Sequence, residues 1–297
     1  TPIQDQRSLG CTGWDTSLAA CKAMADWQYV LGVNQRCLHL SHYTLKGEAK
    51  RDYPASFSKH SNFASAMPLL EDYFARLGVI LSEGQEIRDL LVLHPLESAW
   101  ILLDSGLQNA TEFDRKLETL CNELLADAID FDYGDEEMLS VSGSVENQNG
   151  TPVLRIGKAV YRAVLLPEAA TIRQTTLDLL SGFLADGGIA ARLGTAPERV
   201  DGVLCPDAHM LYDRLPYGIS AVEPIVRRVR FHSGTQQEAV SLLYQLRELE
   251  DGLSLTICNT GLNIRNGLHT RVSERCIKYP DLTVEIATEI TGQWYEL

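Results

Sequence analysis

The first hundred residues alternate between helical and strand-like patterns, and this alternation restricts the chain to few folds. A helix is predicted over residues 17–30 and a strand over residues 37–43. After a polar loop at 46–54, the pattern predicts a helix over 64–82 and a buried strand over 89–94. Helix, strand with polar residues at its end, and helix again form the repeating unit of a β/α barrel. One or two units cannot close a barrel, so the sequence predicts the end of a larger (β/α)8 barrel.

Helix 64–82 of the barrel region places Met67, Leu70, Phe74, Leu77 and Leu81 on one stripe, with Gly84 as its predicted stop.

The chain divides into three predicted regions. The barrel units occupy residues 1–85, and an α/β domain is predicted over 86–250. Residues 253–258 and 282–286 alternate apolar with polar or small residues, which is typical of strands with one wet face. The pattern from 251 to 297 therefore predicts the start of a β-sandwich.

Strands and helices alternate through the middle region. Residues 89–94 have the continuous apolar character of a parallel strand covered on both faces. Thr111 and Asp114 resemble a capping box that opens an amphipathic helix. The other predicted elements are strands at 130–133, 161–167 and 189–193, a helix at 175–186 and a polar loop at 140–151. This order predicts a doubly wound parallel sheet of the flavodoxin-like kind.

Composition excludes several classes of function. With 45% hydrophobic residues the chain can bury substantial cores, and its net charge of −14 disfavours nucleic acid and anionic membranes as partners. We find no apolar run long enough to span a bilayer and no signal peptide. The odd number of cysteines, 7, favours reduced thiols over a disulfide framework. Together these features predict a cytoplasmic protein that does not bind membranes.

No cofactor is expected. The cysteine spacings do not offer the close ligand pairs of a zinc site, and neither a Gly-x-Gly-x-x-Gly turn nor a phosphate-binding Gly-Lys-Ser/Thr loop follows any predicted strand. On strand 37–43, His39 and Tyr43 point to one face and His42 to the other, which argues against a His-x-x-His metal pair.

The candidate binding residues lie near the predicted mouth of the barrel. One face of strand 37–43 would line the lumen there; otherwise its histidines are core or surface residues. Trp14 and Asp15 precede the first helix, where Asp15 could cap it, or the pair could hold a sugar by ring stacking and hydroxyl bonding.

Two acidic or charged segments offer further candidates. Glu48 and Asp52 could contact hydroxyl groups or supply an acid/base group, or they could belong to an ion-paired surface loop. His94 and Glu97 follow a parallel strand, at the edge where open sheets bind ligands. The same segment could equally be the seam that packs this domain on the barrel.

Five motifs spread over the first 133 residues can be considered together. They are GCTGWD at 10–15, HLSHY at 39–43, GEAKRDYPAS at 47–56, HPLES at 94–98 and DFDY at 130–133. These motifs resemble a run found in large bacterial glycoside hydrolases near the α-L-rhamnosidase and β-galactosidase-like families, and the resemblance extends in register over residues 9 to about 200. In that family the run joins the last strands of a (β/α)8 catalytic barrel to a flavodoxin-like domain, followed by β-sandwich domains.

The resemblance implies a carbohydrate substrate. It places Trp14, Asp15, His39, His42 and Tyr43 at the rim of a sugar-binding barrel. Related architectures use the flavodoxin-like domain for subunit contacts, which implies a homo-oligomer.

The sequence departs from the family pattern where a Ser-Glu-Leu-Tyr-Gly motif would precede the Trp-Asp segment. This chain has Arg7-Ser-Leu-Gly10 there, so the glutamate and tyrosine are missing. Glycosidases generally need two carboxylates across the scissile bond, and no such pair is identifiable. We therefore expect a portion of a glycoside hydrolase that is inactive by itself. The alternatives are a non-enzymatic association module and an α/β enzyme of another class that uses His94 and Glu97.

Overall fold

The computed structural model describes residues 3–5, 14, 16–38, 42–51, 56–57, 59–234, 239–267, 277–288 and 290–295. The chain forms two compact units. The first comprises Thr1–Ile87, Ser233–Asp281 and Ile290–Leu297, and the second comprises Arg88–His232 and Leu282–Glu289. Each unit is thus assembled from segments that are distant in sequence. The three-region division remains a prediction.

The helices are α1 Leu18–Val30, α2 Met67–Ile80, α3 Leu96–Asp104, α4 Leu107–Ala126, α5 Glu136–Ser142, α6 Gln174–Ala185, α7 Ala208–Asp213 and α8 Glu223–Val226. Short 3₁₀ turns cover Gly47–Arg51, Ala64–Ala66, Ile219–Ala221 and Ile264–Asn266. The strands are β1 Ile3–Asp5, β2 Gln35–Cys37, β3 Gln85–Glu86, β4 Leu90–His94, β5 Phe131–Asp135, β6 Gly143–Gln148, β7 Thr151–Ile156, β8 Ala159–Tyr161, β9 Ala163–Leu166, β10 Thr171–Ile172, β11 Ile189–Arg192, β12 Arg199–Val200, β13 Val203–Leu204, β14 Val229–His232, β15 Leu242–Leu249, β16 Gly252–Asn259 and β17 Thr283–Ile286.

In the first unit, two parallel strands alternate with two helices. Strand β1 pairs with β2 in parallel, α1 lies between them in sequence, and α2 follows β2. The Ser17 side chain caps α1 by accepting a hydrogen bond from the Ala20 N–H at 3.1 Å. The predicted apolar stripe of α2 is confirmed, since its buried members pack against α1. The core they share comprises Cys21, Ala25, Tyr29, Phe57, Leu70, Phe74 and Leu81.

The first unit also contains an antiparallel sheet. Strands β15 and β16 form a long hairpin, and the short β3 pairs with the other edge of β15. The predicted strand at 253–258 is therefore confirmed as β16, whereas β15 was not predicted. Six consecutive residues of β15, from Leu242 to Arg247, are buried. Such a strand lacks the period-2 alternation that identified β16.

The second unit is built on a parallel sheet with helices on both faces. Its spatial strand order is β11-β9-β4-β5, with every neighbouring pair parallel. Leu91 and Leu93 of β4 enter the core on one face, and Leu90 and Val92 enter the core on the other. The predicted buried strand is thus confirmed, and the chain is a mixed α/β protein with a parallel sheet.

Two predictions for the second unit are wrong, namely the helix start at Thr111 and the polar loop at 140–151. Thr111 does not open α4, which begins four residues earlier at Leu107; its hydroxyl instead donates to the Leu107 carbonyl within the helix. The polar segment 140–151 is not a loop but the end of α5 and the hairpin of β6 and β7. Asn149 and Gly150 form its turn with positive φ values of 53° and 84°, as expected for an Asn-Gly hairpin.

Two further expectations need correction. Predicted strand 37–43 is observed as β2, which ends at Cys37; Leu38, His42 and Tyr43 are not in strands, and 39–41 lie outside the described residues. Helix α2 ends at Ile80, so Gly84 is not its stop. The predicted strand at 282–286 is confirmed as β17, which pairs with β14 of the second unit. Within the described parts of the chain, every helix is too short or too polar to cross a bilayer.

Candidate functional site

A small pocket in the first unit brings Trp14 together with polar side chains. Its volume is about 160 Å³, below the roughly 300–1,000 Å³ of ordinary small-molecule sites, so it suits one ring or the end of a larger ligand. The segment before α1 supplies one wall, and the turns that lead into α2 supply the other. The lining residues are Trp14, Thr16, Ser56, His60, Ser61, Asn62 and Phe63.

The backbone of Trp14 adopts a conformation that residues other than glycine rarely adopt. Its φ is +71°, which for an L-residue costs about 1–2 kcal/mol. The indole Nε1 donates a hydrogen bond of 2.9 Å to the carbonyl oxygen of Lys50. This bond holds the ring in place, yet 39% of the residue remains exposed. A strained and anchored aromatic that stays partly open to solvent is typical of a binding surface rather than a core.

The other lining residues supply hydrogen-bonding groups. Thr16 and Ser56 are buried, so their hydroxyls lie inside the wall of the pocket. The Nε2 atom of His60 is also buried and makes no hydrogen bond to the described residues. Hydroxyl and imidazole groups can both donate and accept, which suits a hydroxylated ligand. Among the described lining residues none is a carboxylate, so this lining lacks the carboxyl pair of a glycosidase.

The structure describes three of the predicted rim side chains. Of these, only Trp14 lines the pocket; His42 is partly buried, and Tyr43 is 93% exposed. Glu48 lies in the 3₁₀ turn Gly47–Arg51, and its side chain is not described. Asp15, His39 and Asp52 lie outside the described residues, and their roles stay predictions.

Sequence reasoning missed the other six lining residues, although a signal exists for the polar ones. His60, Asn62 and the hydroxyls of Thr16 and Ser56 come from short polar segments on either side of the predicted elements. The segment from Ser56 to Asn62 has a high proportion of polar residues just before a helix. Such a composition indicates a turn, but which side chains face Trp14 depends on tertiary packing.

The second predicted site, after strand β4, is occupied by internal contacts. A carboxylate oxygen of Glu97 lies 2.7 Å from Nε and 2.6 Å from Nη2 of Arg173. Glu136 is 1% exposed and accepts a hydrogen bond from the Arg173 N–H at 2.7 Å. Burial raises the pKa of Glu136 above the ordinary value of a carboxyl. Because Glu97 is engaged in its ion pair with Arg173, it is poorly placed to act as a general base.

Ser98 closes the same edge of the sheet. Its side chain is fully buried, accepts hydrogen bonds from the N–H groups of Ala170 and Thr171 at 3.0 and 3.1 Å, and donates to the Thr171 carbonyl at 3.0 Å. The loop after β9 is thereby tied to the start of α3. These contacts all lie within the second unit, so packing of this segment on the barrel, the other alternative, stays a prediction.

Comparison with solved structures identifies similar folds. The sequence matches no protein-family model and no curated protein. A rhamnosidase from Novosphingobium sp. PP1Y superposes with a TM-score of 0.59 at 18% identity over 84% of this chain. A β-galactosidase from Rahnella sp. R3 and a GH42 β-galactosidase from G. stearothermophilus give TM-scores of 0.44 and 0.42 at 12% and 15% identity, over 82% and 80% of this chain and 34% and 32% of theirs. The chain spans 25% of the rhamnosidase, and at this identity the similarity is one of fold.

Proposed function

We propose that this chain is a portion of a glycoside hydrolase that acts on O-glycosidic bonds, and that it contributes one edge of the sugar site. The observation that carries the proposal is Trp14, a strained and hydrogen-bonded indole that forms an open wall of a pocket with hydroxyl-bearing side chains. Sugars present an apolar ring face to aromatic residues and hydroxyls to polar ones. The proposed rim comprises Trp14, Asp15, His39, His42, Tyr43, Glu48 and Asp52.

The parallel pair β1–β2 supports a place in a larger barrel. Each strand is followed in the chain by a helix, as in a β/α unit. On β2, the Arg36 side chain is 6% exposed, whereas Gln35 and Cys37 are exposed. Parallel sheets are normally covered on both faces, and two strands alone are only marginally stable. An open face on a parallel pair is what an arc of a (β/α)8 barrel would have.

The strand order of the second unit supports the proposed flavodoxin-like domain. Numbered along the chain, strands β4, β5, β9 and β11 lie in the order 2-1-3-4. The flavodoxin-like order begins in the same way. In this proposal the second unit is an accessory domain, and β16 and β17 lie in the region where a β-sandwich would start.

We expect the isolated chain to be catalytically inactive. Glycosidases place two carboxyl groups about 5–10 Å apart across the scissile bond. The described lining of the Trp14 pocket contains no carboxylate, and a role for Glu48 or Asp52 as a substitute is a prediction. Turnover of aryl glycosides by this chain would contradict the expectation.

The binding proposal is tested with L-rhamnose and D-galactose by saturation-transfer NMR. We expect Trp14→Ala to weaken binding of the preferred sugar about tenfold or more, because the stacking wall is lost, and Trp14→Phe to retain part of it. Trp100→Ala is the matched control, since Trp100 is 58% exposed and belongs to the second unit. Equal binding by the parent and Trp14→Ala would refute the role of Trp14.

A second candidate function is subunit association through the second unit. Trp100, Leu103 and Leu107 are 58%, 52% and 72% exposed on neighbouring turns of α3 and α4. Exposed apolar side chains that cluster in this way are common at protein interfaces. Sedimentation of the parent and of Leu103→Glu tests this candidate: a parent oligomer that the substitution dissociates supports it, and a strictly monomeric parent rules it out.

A further inference from the structure

A second cleft in the first unit lies between the end of α1, strand β2 and helix α2. Its volume is about 510 Å³, within the range of small-molecule sites. It shares no lining residue with the Trp14 pocket. Its polar lining includes Asn34, Arg36, Glu71 and Glu83, and Ala75 of α2 also faces it.

A buried arginine forms the inner wall of this cleft. The Arg36 side chain is 6% exposed, and its guanidinium lies 4.4 Å from the centre of the Phe74 ring. Nη2 is 2.7 Å from Oε1 of Glu71, which compensates the charge, whereas Nη1 makes no hydrogen bond to the described residues. Buried guanidinium groups normally have their donors satisfied, so Nη1 of Arg36 is an unused donor group at this cleft.

The side chain of Asn34, two residues before Arg36, provides an unused hydrogen-bond acceptor. The Oδ1 atom of Asn34 is buried and receives no hydrogen bond from the described residues. Asn34 and Arg36 line the same cleft, as does Gln35 between them. A complementary ligand must therefore offer both an acceptor and a donor.

The charge of the cleft selects among such ligands. One arginine faces the carboxylates of Glu71 and Glu83, so an anion would meet net negative charge. A carboxylate anion such as acetate would also leave the Asn34 acceptor unpaired, because a carboxylate carries no hydrogen-bond donor. A neutral hydroxyl group donates and accepts through a single atom and satisfies both requirements.

We propose that this cleft is a second binding site, for a neutral polyhydroxylated molecule such as a mono- or disaccharide. A ligand hydroxyl accepts a hydrogen bond from Nη1 of Arg36, while Nη2 stays paired with Glu71. A neighbouring hydroxyl of the same ligand donates to Asn34. This site is separate from the Trp14 pocket, and the proposal holds whether or not the chain belongs to a glycosidase.

The test uses variants that fill or disarm the cleft from different sides. Ala75 is exposed and lines the cleft, so Ala75→Leu occupies its volume while leaving the core unchanged. Arg36→Met removes the donors and keeps most of the side-chain length. Arg76→Leu is the matched control, because Arg76 is the next residue of α2, is exposed and does not line the cleft.

Binding of lactose and D-galactose is measured by saturation-transfer NMR, with far-UV circular dichroism to confirm folding of each variant. The three variants are compared in the Trp14→Ala background, in which binding at the Trp14 pocket is weakened. We expect Ala75→Leu and Arg36→Met to weaken the remaining binding about tenfold or more, and Arg76→Leu to leave it unchanged. Equal binding by Trp14→Ala with and without Ala75→Leu would overturn the proposal. Saturable binding of acetate or inorganic phosphate in place of the sugars would overturn it as well.

Discussion

Replacing Gly84 with alanine is expected to destabilise the first unit more than the same replacement at Gly47 or Gly252. Gly84 has a φ of +62°, which for alanine costs about 1–2 kcal/mol. A Cβ at this position would overlap the carbonyl oxygen of Glu248 and lie 2.8 Å from Cδ2 of Leu249. Cβ atoms essentially never approach other heavy atoms within 3.0 Å, so the chain at Gly84 and strand β15 would have to move apart.

That movement would break the hydrogen bonds that join the two segments. Arg247 Nε donates to the Glu83 carbonyl at 2.6 Å, its Nη2 donates to the Gly84 carbonyl at 3.1 Å, and the Ile87 N–H donates to the Leu246 carbonyl at 2.9 Å. Each such bond contributes about 0.5–1.5 kcal/mol, and more when a charged group donates. With the backbone strain, we expect Gly84→Ala to lower the free energy of unfolding by about 3–5 kcal/mol.

The two other glycines separate strain from overlap. Gly47 has a φ of +68° and open space within 4 Å of the position that a methyl group would take, so Gly47→Ala measures backbone strain alone, about 1–2 kcal/mol. Gly252 has open space and no positive φ, so Gly252→Ala should change stability by less than about 1 kcal/mol. Urea unfolding followed by circular dichroism and tryptophan fluorescence gives the three values. A Gly84→Ala cost no greater than that of Gly47→Ala would refute the close-approach argument.

Three further predictions concern buried polar groups. Burial raises the pKa of Glu136, so the stability that its protonated form contributes is present below the ordinary carboxyl pKa and is lost as pH rises through the raised value. The melting temperature of Glu136→Gln, relative to that of the parent, should therefore increase between pH 4 and pH 8. A difference in melting temperature that stays constant over this range would contradict the prediction. Ser98→Ala should lower the free energy of unfolding in urea by about 2–4 kcal/mol, because the N–H groups of Ala170 and Thr171 lose their acceptor. Ser98→Cys is the comparison, and a cost of Ser98→Ala below about 1 kcal/mol would argue that these hydrogen bonds do not stabilise the fold. Burial raises the pKa of the Cys21 thiol to about 11, so iodoacetamide at pH 8 should alkylate the exposed Cys37 and spare Cys21 in peptide mass spectrometry.

Elements with a single strong pattern were predictable. The apolar run of β4 and the stripe of α2 are observed close to their predicted bounds because burial on two faces or on one stripe leaves a regular period in the sequence. The Asn149-Gly150 turn carried an equally local signal, but the polar composition around it was interpreted as a loop. Strand β15 was missed because a strand buried without alternation has no period to detect.

The candidate site was only partly predictable, because most of its residues leave no regular period in the sequence. Trp14 stands out in the sequence as an aromatic beside an acid, and the structure places it on a pocket. His60 carries no comparable signal, because its contact with that pocket depends on how the turns before α2 fold back toward Trp14.

The amino-acid sequence by itself determined the mixed α/β class, the parallel strand β4 and the amphipathic helix α2, since these depend on the spacing of apolar residues along a few turns of chain. Tertiary structure alone decided the pairing of β3 with β15, the close approach at Gly84 and the joining of distant segments into each unit. Such contacts join residues more than a hundred positions apart, and their energies depend on shape and hydrogen bonding between surfaces that no local period encodes.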